Sequence, residues 1–521
     1  MSAHTHRPMN SAPPGFDPER DLPSGFWRFY LPLHQAFTAR QQALAARRIE
    51  ALAAAHAGRL PHHLPPSPAT TSNWRITLSA WCLDQRNQMT GPADDAELVV
   101  KMINSGAPGV MLDLEDSMAN TWESTLRGVA NIRAALRGEL SYEDRKRGRT
   151  VGITPSATVV WSRVRGLHLS QAGLLAGDAL SSASLFDLAL IAYSTEPERL
   201  RHPLCIYIPK SESAEEALWW RDLFQAVAVS RGWPADSIKC MALVESHPLA
   251  YQMEEFLHHL REHILGLNLG RWDYMASLIH FNLADPAWVL PDRNTIPHDV
   301  PFFQRLRHLM VGICHRRGAL AIGGMTALFP SREDAELNVR ALKVLEQDKK
   351  NEAVCFMDGA WTGHPDQNAI AVAQFPAPNQ VDKVPAGERY PDLRPAPGRI
   401  GRHTTAGTAA AMRTTIRYRN GVLNGHGASL LDGYMEDLAT DRIYRLMIAQ
   451  RTRHAGQVPI VSDEGLPMPH TAEFVQAGFR HELERLITEV PRGRDTGTET
   501  TMRDACTATE TLIRDNLFDP I

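Results

Sequence analysis

The chain has 521 residues, of which 43% are hydrophobic and 22% are charged, and its formal net charge is −4. That length exceeds what one small core requires, so it predicts one large domain with accessory segments. The composition is ordinary for a globular protein, and the small negative charge gives no reason to expect a nucleic-acid partner.

No apolar stretch approaches the ~20 residues needed to cross a bilayer, and the polar first ten residues lack the apolar core of a signal peptide. The six cysteines are scattered without a C-x-x-C pair, which favours buried thiols in a reducing compartment. The final residues, LFDPI, carry no peroxisomal tripeptide. We therefore expect a cytoplasmic protein with no membrane partner.

The first predicted element is a long helix. Residues 37–57, FTARQQALAARRIEALAAAHA, are rich in strong helix formers, and the proline-rich stretch 61–68 follows them. We assign residues 1–74 to an N-terminal helical segment.

Residues 75–375 alternate short apolar runs with helical patterns. The runs are GVMLDLED (109–116), ATVVWSRVR (157–165), LFDLALIAYS (185–194), LCIYIPKSE (204–212), KCMALVES (239–246), ILGLNLGRWD (264–273), GALAIGGM (318–325) and EAVCFMDG (352–359). Continuous apolar strands separated by helices predict a parallel sheet buried on both faces. About eight strands in ~300 residues favour an α/β fold of the (β/α)8 (TIM) barrel type. An open doubly wound sheet is less favoured, because no G-x-G-x-x-G motif follows the first run.

The barrel is followed by a linker and a helical region. Residues 376–397 contain six prolines and show no periodicity, which predicts an extended linker. Residues 398–521 are predicted to be helical; in 434–455, Ile443, Leu446 and Met447 fall on one helical stripe.

Polar side chains follow the ends of five predicted strands: Glu115 and Asp116, Arg163 and Arg165, Lys210 and Glu212, Glu245, and Asp273. In a parallel barrel all these ends open onto one face, where such enzymes place their active sites. One charged ending could simply mark a return to solvent, so it is the recurrence that favours a site.

Two of these residues, Glu245 and Asp273, lie about one βα unit apart, so their strands are predicted neighbours at ~4.8 Å. Two hard oxygen donors without a nearby cysteine suit Mg²⁺ rather than zinc. The alternative is that Arg165 or Arg271 pairs with them in salt bridges.

Eight segments, in this order and spacing, resemble the malate synthase family, in its shorter A type. They are LDLEDSMANTWES (112–124), RVRGLH (163–168), SLFDLAL (184–190), YIPKSES (207–213), LVESHPLAYQMEE (243–255), LNLGRWDY (267–274), IGGMTALFP (322–330) and YMEDLATDRIYR (434–445). The resemblance covers nearly the whole chain. It implies an N-terminal helical clasp, a barrel with an insertion, and a C-terminal helical plug.

The resemblance also implies a reaction, a Mg²⁺-dependent Claisen condensation of acetyl-CoA with glyoxylate, followed by thioester hydrolysis to malate and CoA, as in the glyoxylate bypass of the tricarboxylic acid cycle. Acetyl-CoA and glyoxylate would be the substrates, with no tightly bound organic cofactor. We expect a monomer or a weak homo-oligomer.

By motif, Glu245 and Asp273 resemble the family's metal ligands. Arg165 resembles the arginine that polarises the glyoxylate carbonyl and steadies the developing enolate; Arg163, in the same motif, remains the alternative. The segment that holds the glyoxylate carboxylate through its backbone would be Gly270, Arg271 and Trp272, the glycine allowing close approach.

Three further sets of residues carry weaker assignments. Beside the metal and the thioester, the acidic motif supplies Asp113, Glu115 and Ser117, where holding the metal's waters is as reasonable as direct participation. Pro365, in the segment WTGHP (361–365), is a candidate residue of the CoA-binding pocket, although a turn between barrel elements explains that segment equally well. The general base would be Asp437 of MEDLAT, unless it only interacts with its helix N-terminus, a role Glu436 could share.

This sequence departs from the family pattern at Leu114, Val164 and Leu167, where the family shows phenylalanine, proline and tryptophan. These changes leave the chemistry in place and leave the exact 2-oxoacid preference open. Two alternatives remain: a malyl-CoA lyase or citrate-lyase-β-like carbon–carbon lyase, and a non-catalytic acyl-CoA or 2-oxoacid-binding relative.

Overall fold

The computed structural model describes residues 10–331, 333–395, 400–489 and 497–514. Its centre is a closed barrel of eight parallel strands. In chain order they are β1 (Asn87–Pro92), β2 (Gly109–Asp113), β3 (Val159–Arg163), β4 (Cys205–Ile208), β5 (Lys239–Val244), β6 (Ile264–Leu269), β7 (Leu320–Met325) and β8 (Gly359–Thr362). Each strand pairs with the next, and β8 pairs with β1 in a register that sets Ala360 opposite Asn87. The predicted (β/α)8 barrel is confirmed.

Helices surround the barrel and extend beyond it at both ends of the chain. Those of at least seven residues are α1 (Phe26–His56), α2 (Ala96–Asn104), α3 (Trp122–Leu136), α4 (Ala183–Tyr193), α5 (Ala214–Ser230), α6 (Met253–His259), α7 (Arg271–Phe281), α8 (Pro301–Arg316), α9 (Ala335–Val354), α10 (Asn368–Gln374), α11 (Thr405–Leu423), α12 (Leu438–Arg453), α13 (Ala472–Glu489) and α14 (Glu499–Arg514). No helix in the described ranges is both long and apolar enough to cross a membrane.

The apolar runs become strands because the barrel buries both of their faces: every residue of β2, β3, β4 and β6 is buried. Large side chains such as Trp161 and Tyr207 fill the interior. Tyr207 Oη and Trp361 Nε1 both donate to Gln88 Oε1, at 2.8 and 3.0 Å. The interior is therefore a packed core, and the open space lies at the carboxyl ends of the strands.

Three strand assignments needed correction. Residues 185–194 are not a strand but belong to α4, a helix buried on every side, whose uniform hydrophobicity hides the helical period. The first strand, β1, was missed because Asn87, Gln88 and Thr90 are polar, although the barrel buries all three. Residues 352–359 are mainly the end of α9 and a turn, and β8 begins only at Gly359.

The N-terminal helix α1 clasps the barrel by packing on α4 and α5. The ring of Phe26 meets Phe186 edge-on at 6.1 Å, and Trp219 Nε1 donates to the carbonyl of Phe37 at 3.0 Å. Residues 170–182 form an antiparallel hairpin inserted between β3 and α4. The described part of the predicted linker, 376–395, is tied to the barrel, since Gln380 N donates to Asp358 Oδ1 at 2.6 Å.

The C-terminal helices form the plug. Helix α12 packs along α7, the helix that follows β6, and Arg451 pairs with Asp292 at 2.8 Å. The short hairpin before α12 joins the barrel side of the molecule, where Phe329 N donates to the carbonyl of Gly433. The start of α12 is thereby fixed over the mouth of the barrel.

Candidate active site

A cavity of about 580 Å³ lies between the barrel mouth and the C-terminal region. The barrel lines it with Asp116, Ser117, Arg163, Glu245, Gly270, Arg271, Trp272, Asp273, Trp361 and Gly363, among others. The C-terminal region adds the loop 425–428, Met435 and Asp437. The polar endings of β2, β3, β5 and β6 therefore meet in one space, which a residue from the plug completes.

Glu245 and Asp273 both face this cavity and are buried. Glu245 directly follows β5, and Asp273 lies in the first turn of α7, after β6; Val244 and Leu269 are paired across the two strands. Asp273 Oδ1 accepts from Arg442 of α12 at 2.8 Å. The two carboxylates thus stand on neighbouring strand ends, as the sequence predicted.

Lys210, which follows β4, connects these carboxylates with those after β2. Its backbone N–H donates to Glu245 Oε1 at 2.6 Å. Its Nζ lies 2.6 Å from Asp116 Oδ2, 3.1 Å from Glu115 Oε2 and 3.4 Å from Asp273 Oδ2. Burial alone would lower its pKa, but the carboxylates, led by Asp116, hold the pKa of Lys210 well above the usual value.

The carboxylates of this group carry more negative charge than their surroundings neutralise. Burial, only partly offset by the Lys210 ammonium, raises the pKa of Glu115 to about 8 and that of Glu245 well above its usual value. Within the described residues, Asp116 Oδ1 is buried without a hydrogen-bond partner. The site therefore favours an additional positive charge.

The structure brings Arg163, rather than Arg165, to the cavity. Arg163 ends β3, donates twice to Asp113 at 2.7 and 2.6 Å, and lies over the ring of Trp361 at 5.6 Å. Arg165 lies outside the lining: its fully buried guanidinium donates to both carboxylate oxygens of Asp187 and to Gln171. The structure thus does not place Arg165 where the sequence expected it, because the chain leaves the strand after Arg163 and the second arginine points into the protein; its catalytic role stays an untested prediction.

The N-terminus of α7 opens into the cavity through Gly270, Arg271 and Trp272. A Cβ on Gly270 would lie 2.7 Å from Glu245 Oε2, so glycine is needed for this close approach. The Arg271 guanidinium points elsewhere, donating to the carbonyls of Ile296 and Pro297. The first turn of α7, whose backbone N–H groups have no intrahelical partners, thus contributes to the cavity lining.

The residues of the acidic motif differ in position: some line the cavity, and others lie beside it. Ser117 lines the cavity, whereas Asp113 is buried beside it and accepts from Arg163 and from Ser117 Oγ. Glu115 Oε1 accepts from the backbone of Gly166 at 3.2 Å. Pro365 starts the one-turn helix Pro365–Gln367 outside the lining.

Asp437 lines the cavity from the plug and caps α12. Its Oδ1 accepts from Ala439 N and Thr440 N at 3.0 and 3.4 Å. Burial, together with the charges of Asp116 and Asp273, raises the pKa of Asp437 to about 7.

Its neighbour Glu436 has a different environment. Both oxygens of this buried carboxylate accept from Arg293, at 2.7 and 2.9 Å. Of the two adjacent acids, Asp437 lines the cavity and Glu436 does not. Because Asp437 also caps α12, its assignment as general base stays a prediction beside the helix-terminus alternative.

Sequence reasoning identified the position of Lys210 as a strand ending but gave it no role, and it missed Arg442. The signal for Lys210 was available, since it follows the apolar run CIYI after one proline, Pro209. No local sequence signal indicated Arg442, because its partner Asp273 lies 169 residues away in the chain.

Comparisons with known proteins agree with this geometry. A family model described as "Malate synthase, TIM barrel domain" matches residues 159–389. The chain is 38% identical over 443 residues to malate synthase of Streptomyces clavuligerus, covering 81% of each chain. It is 33% identical over 440 residues to malate synthase A of Escherichia coli (strain K12), covering 82% of this chain and 81% of that one. It is 32% identical over 518 residues to glyoxysomal malate synthase of Zea mays, covering 94% of this chain and 91% of that one.

Proposed function

This chain belongs to the malate synthase family, and we propose from that premise how its residues condense acetyl-CoA with glyoxylate to give malate and CoA. The predicted family is confirmed, and the lyase alternative is not favoured, because relatives that match over most of the chain are malate synthases. One observation supports the assignment of roles: Arg163, Glu245 and Asp273 of the barrel meet Asp437 of the plug in a single cavity.

Glu245 and Asp273 fit a Mg²⁺ site. In the described parts of the chain, no three His, Cys, Asp or Glu side chains converge as a complete metal cage. Mg²⁺ typically takes one or two carboxylates and completes its shell with water and substrate oxygens. Two observations support a cation at this position: Asp116 Oδ1 has no hydrogen-bond partner among the described residues, and the pKa of Glu245 is raised. When bound there, Mg²⁺ would polarise the glyoxylate carbonyl as a Lewis acid.

The N-terminus of α7 would hold the glyoxylate carboxylate. Arg271 and Trp272 line the cavity in the first turn of α7, where backbone N–H groups lack intrahelical partners and carry the positive end of the helix dipole. The adjacent Arg163 guanidinium would donate to the aldehyde oxygen, where negative charge develops as the new carbon–carbon bond forms. Asp113, which accepts two hydrogen bonds from Arg163, fixes the orientation of that guanidinium.

Asp437 would act as the general base. Its carboxylate removes a proton from the methyl group of acetyl-CoA, and the C–H electron pair passes into an enolate. The enolate carbon attacks the aldehyde carbon of glyoxylate, and the aldehyde oxygen becomes an alkoxide, which is then protonated. Water cleaves the thioester, releasing malate and CoA. A pKa of about 7 suits a base that works near neutral pH.

The assignment of Arg163 can be tested by thiol release from acetyl-CoA in the presence of glyoxylate and Mg²⁺. We expect Arg163→Lys to lower turnover by roughly 10²–10³-fold, as loss of an oriented donor at an oxyanion typically does. Arg165→Lys is the matched control: it should weaken the fold through Asp187 while the folded fraction keeps its turnover. The reverse result, an active Arg163→Lys and an inactive but folded Arg165→Lys, would return the role to Arg165.

A further inference from the structure

The side chain of Lys210 is buried among the carboxylates but lies outside the cavity lining. Its Nζ is within 3.4 Å of Asp116, Glu115 and Asp273. It does not line the space that a substrate would occupy, yet it contacts Asp273, one of the two proposed Mg²⁺ ligands. A buried ammonium in this position therefore needs an explanation other than substrate binding.

The backbone of Lys210 supplies an independent observation. Its φ is +48°, in the left-handed region that residues with a Cβ rarely adopt. Such strain persists where the surrounding structure fixes it, often at functional sites. Here the unusual turn aims the backbone N–H at Glu245 Oε1, 2.6 Å away. One residue thus holds Glu245 by its backbone and Asp273 by its side chain.

We propose that Lys210 is the built-in counter-cation of the metal-free site. This inference rests on the proposed Mg²⁺ site at Glu245 and Asp273. Without the ammonium, the cluster of Glu115, Asp116, Glu245 and Asp273 would keep, among the described residues, the ion pairs of Arg163 with Glu115 and Asp116 and of Arg442 with Asp273. Lys210 supplies the missing charge, which keeps the ligands in place before the metal arrives.

The same contacts make Lys210 a competitor of Mg²⁺. Both cations are attracted to Asp273 Oδ2 and to the same excess of negative charge, so occupancy by one weakens the other. Lys210 is therefore a positioning residue that stabilises the metal-free protein and weakens Mg²⁺ binding. It keeps the site preformed and the metal exchangeable.

The test is Lys210→Met, which removes the ammonium and keeps an unbranched side chain. Calorimetric titration of the metal-free protein with Mg²⁺, without substrates, should show affinity increased by roughly tenfold or more, as expected for a close buried charge pair. The metal-free variant should melt at a lower temperature than wild type, and saturating Mg²⁺ should remove most of that difference. Lys210→Arg, which keeps the charge, should stay close to wild type in affinity.

The matched control is Lys349→Met. Lys349 is another fully buried lysine with two carboxylate partners, Asp348 and Glu352, at 3.3 and 3.1 Å. Its loss should lower the melting temperature equally with and without Mg²⁺ and leave Mg²⁺ affinity unchanged. If Lys210→Met fails to fold without metal, the double variant D116N/K210M, which removes one charge of each sign, should restore a metal-free fold.

Two results would overturn the inference: Mg²⁺ affinity of Lys210→Met equal to or weaker than that of wild type, or a stability loss that Mg²⁺ leaves unchanged. A wrong assignment of the Mg²⁺ site would give a different experimental result. In that case Glu245→Gln and Asp273→Asn would bind Mg²⁺ as wild type does, and the inference about Lys210 would fall with it.

Discussion

The substitution Asp437→Asn is expected to raise the stability of the protein near neutral pH and to lower its turnover. Asparagine caps a helix as well as aspartate does, so the bonds to Ala439 N and Thr440 N can be kept. The pKa of Asp437 is raised from 3.8 to about 7, so its carboxyl ionises in the unfolded chain well before it does in the folded one. The protein therefore loses stability as pH rises from about 4 to about 7, a loss that asparagine avoids.

The size of this loss follows from the pKa. Roughly three pKa units correspond to about 4 kcal/mol, since each unit is worth about 1.4 kcal/mol. Asp437 is only half-buried, and solvent screening reduces the figure to about 2 kcal/mol. Metal-free Asp437→Asn should accordingly match wild type near pH 4 and exceed it by about 2 kcal/mol above pH 7.

Catalysis should change in the opposite direction. Without a base, turnover should fall by roughly 10²–10⁴-fold, and exchange of the acetyl-CoA methyl protons with solvent should fall with it. Chemical denaturation at pH 4 and pH 8, beside NMR of methyl exchange, measures both effects. Wild-type exchange in Asp437→Asn would refute the base assignment, and an equal stability difference at both pH values would refute the electrostatic reasoning.

The remaining predictions concern neighbouring residues. Glu436→Gln should cost about 3–5 kcal/mol in a denaturation titration, because it leaves buried Arg293 without its charge partner, while the folded fraction remains active. Gly270→Ala should displace Glu245 and weaken Mg²⁺ binding in calorimetry, with an unchanged circular dichroism spectrum; unaltered affinity would contradict the close approach. Gly427→Ala should push the loop 425–428 off the backbone of Met118 and Ala119 and reduce turnover by up to about 100-fold, as an ångström-scale misplacement can. Gly456→Ala, where an added Cβ meets open space, is its control and should behave as wild type.

The barrel could be predicted from sequence where strands are predominantly apolar and bounded by turns, as with β4 and β6. Prediction from hydrophobic patterns fails where buried residues are polar, or where a helix is apolar on every side. The strand β1 is buried through hydrogen-bonded amides such as Gln88, and α4 is so evenly apolar that its helical period is invisible. Both cases depend on tertiary neighbours that a local pattern does not contain.

The candidate site was also predictable only in part. Strand endings located the cavity, because parallel strands must end at one face. Which of Arg163 and Arg165 reaches the cavity depends on where β3 ends and on Asp187, 22 residues beyond Arg165. The different environment of Glu436 depends on Arg293, 143 residues away in the chain. The domain boundaries, the cytoplasmic location and the monomeric or weakly oligomeric state stay predictions.

The contact between Arg442 and Asp273 joins segments 169 residues apart. Chains grow at about 5–20 residues per second, and their N-terminal parts fold first, so the ribosome exposes Asp273 on the order of ten seconds before it adds Arg442. During that interval the nascent barrel carries its acidic strand endings but lacks Asp437. If Asp437 is the general base, as proposed, the enzyme becomes active only after residue 437 has been added, and chains that terminate within 376–395 are expected to be inactive.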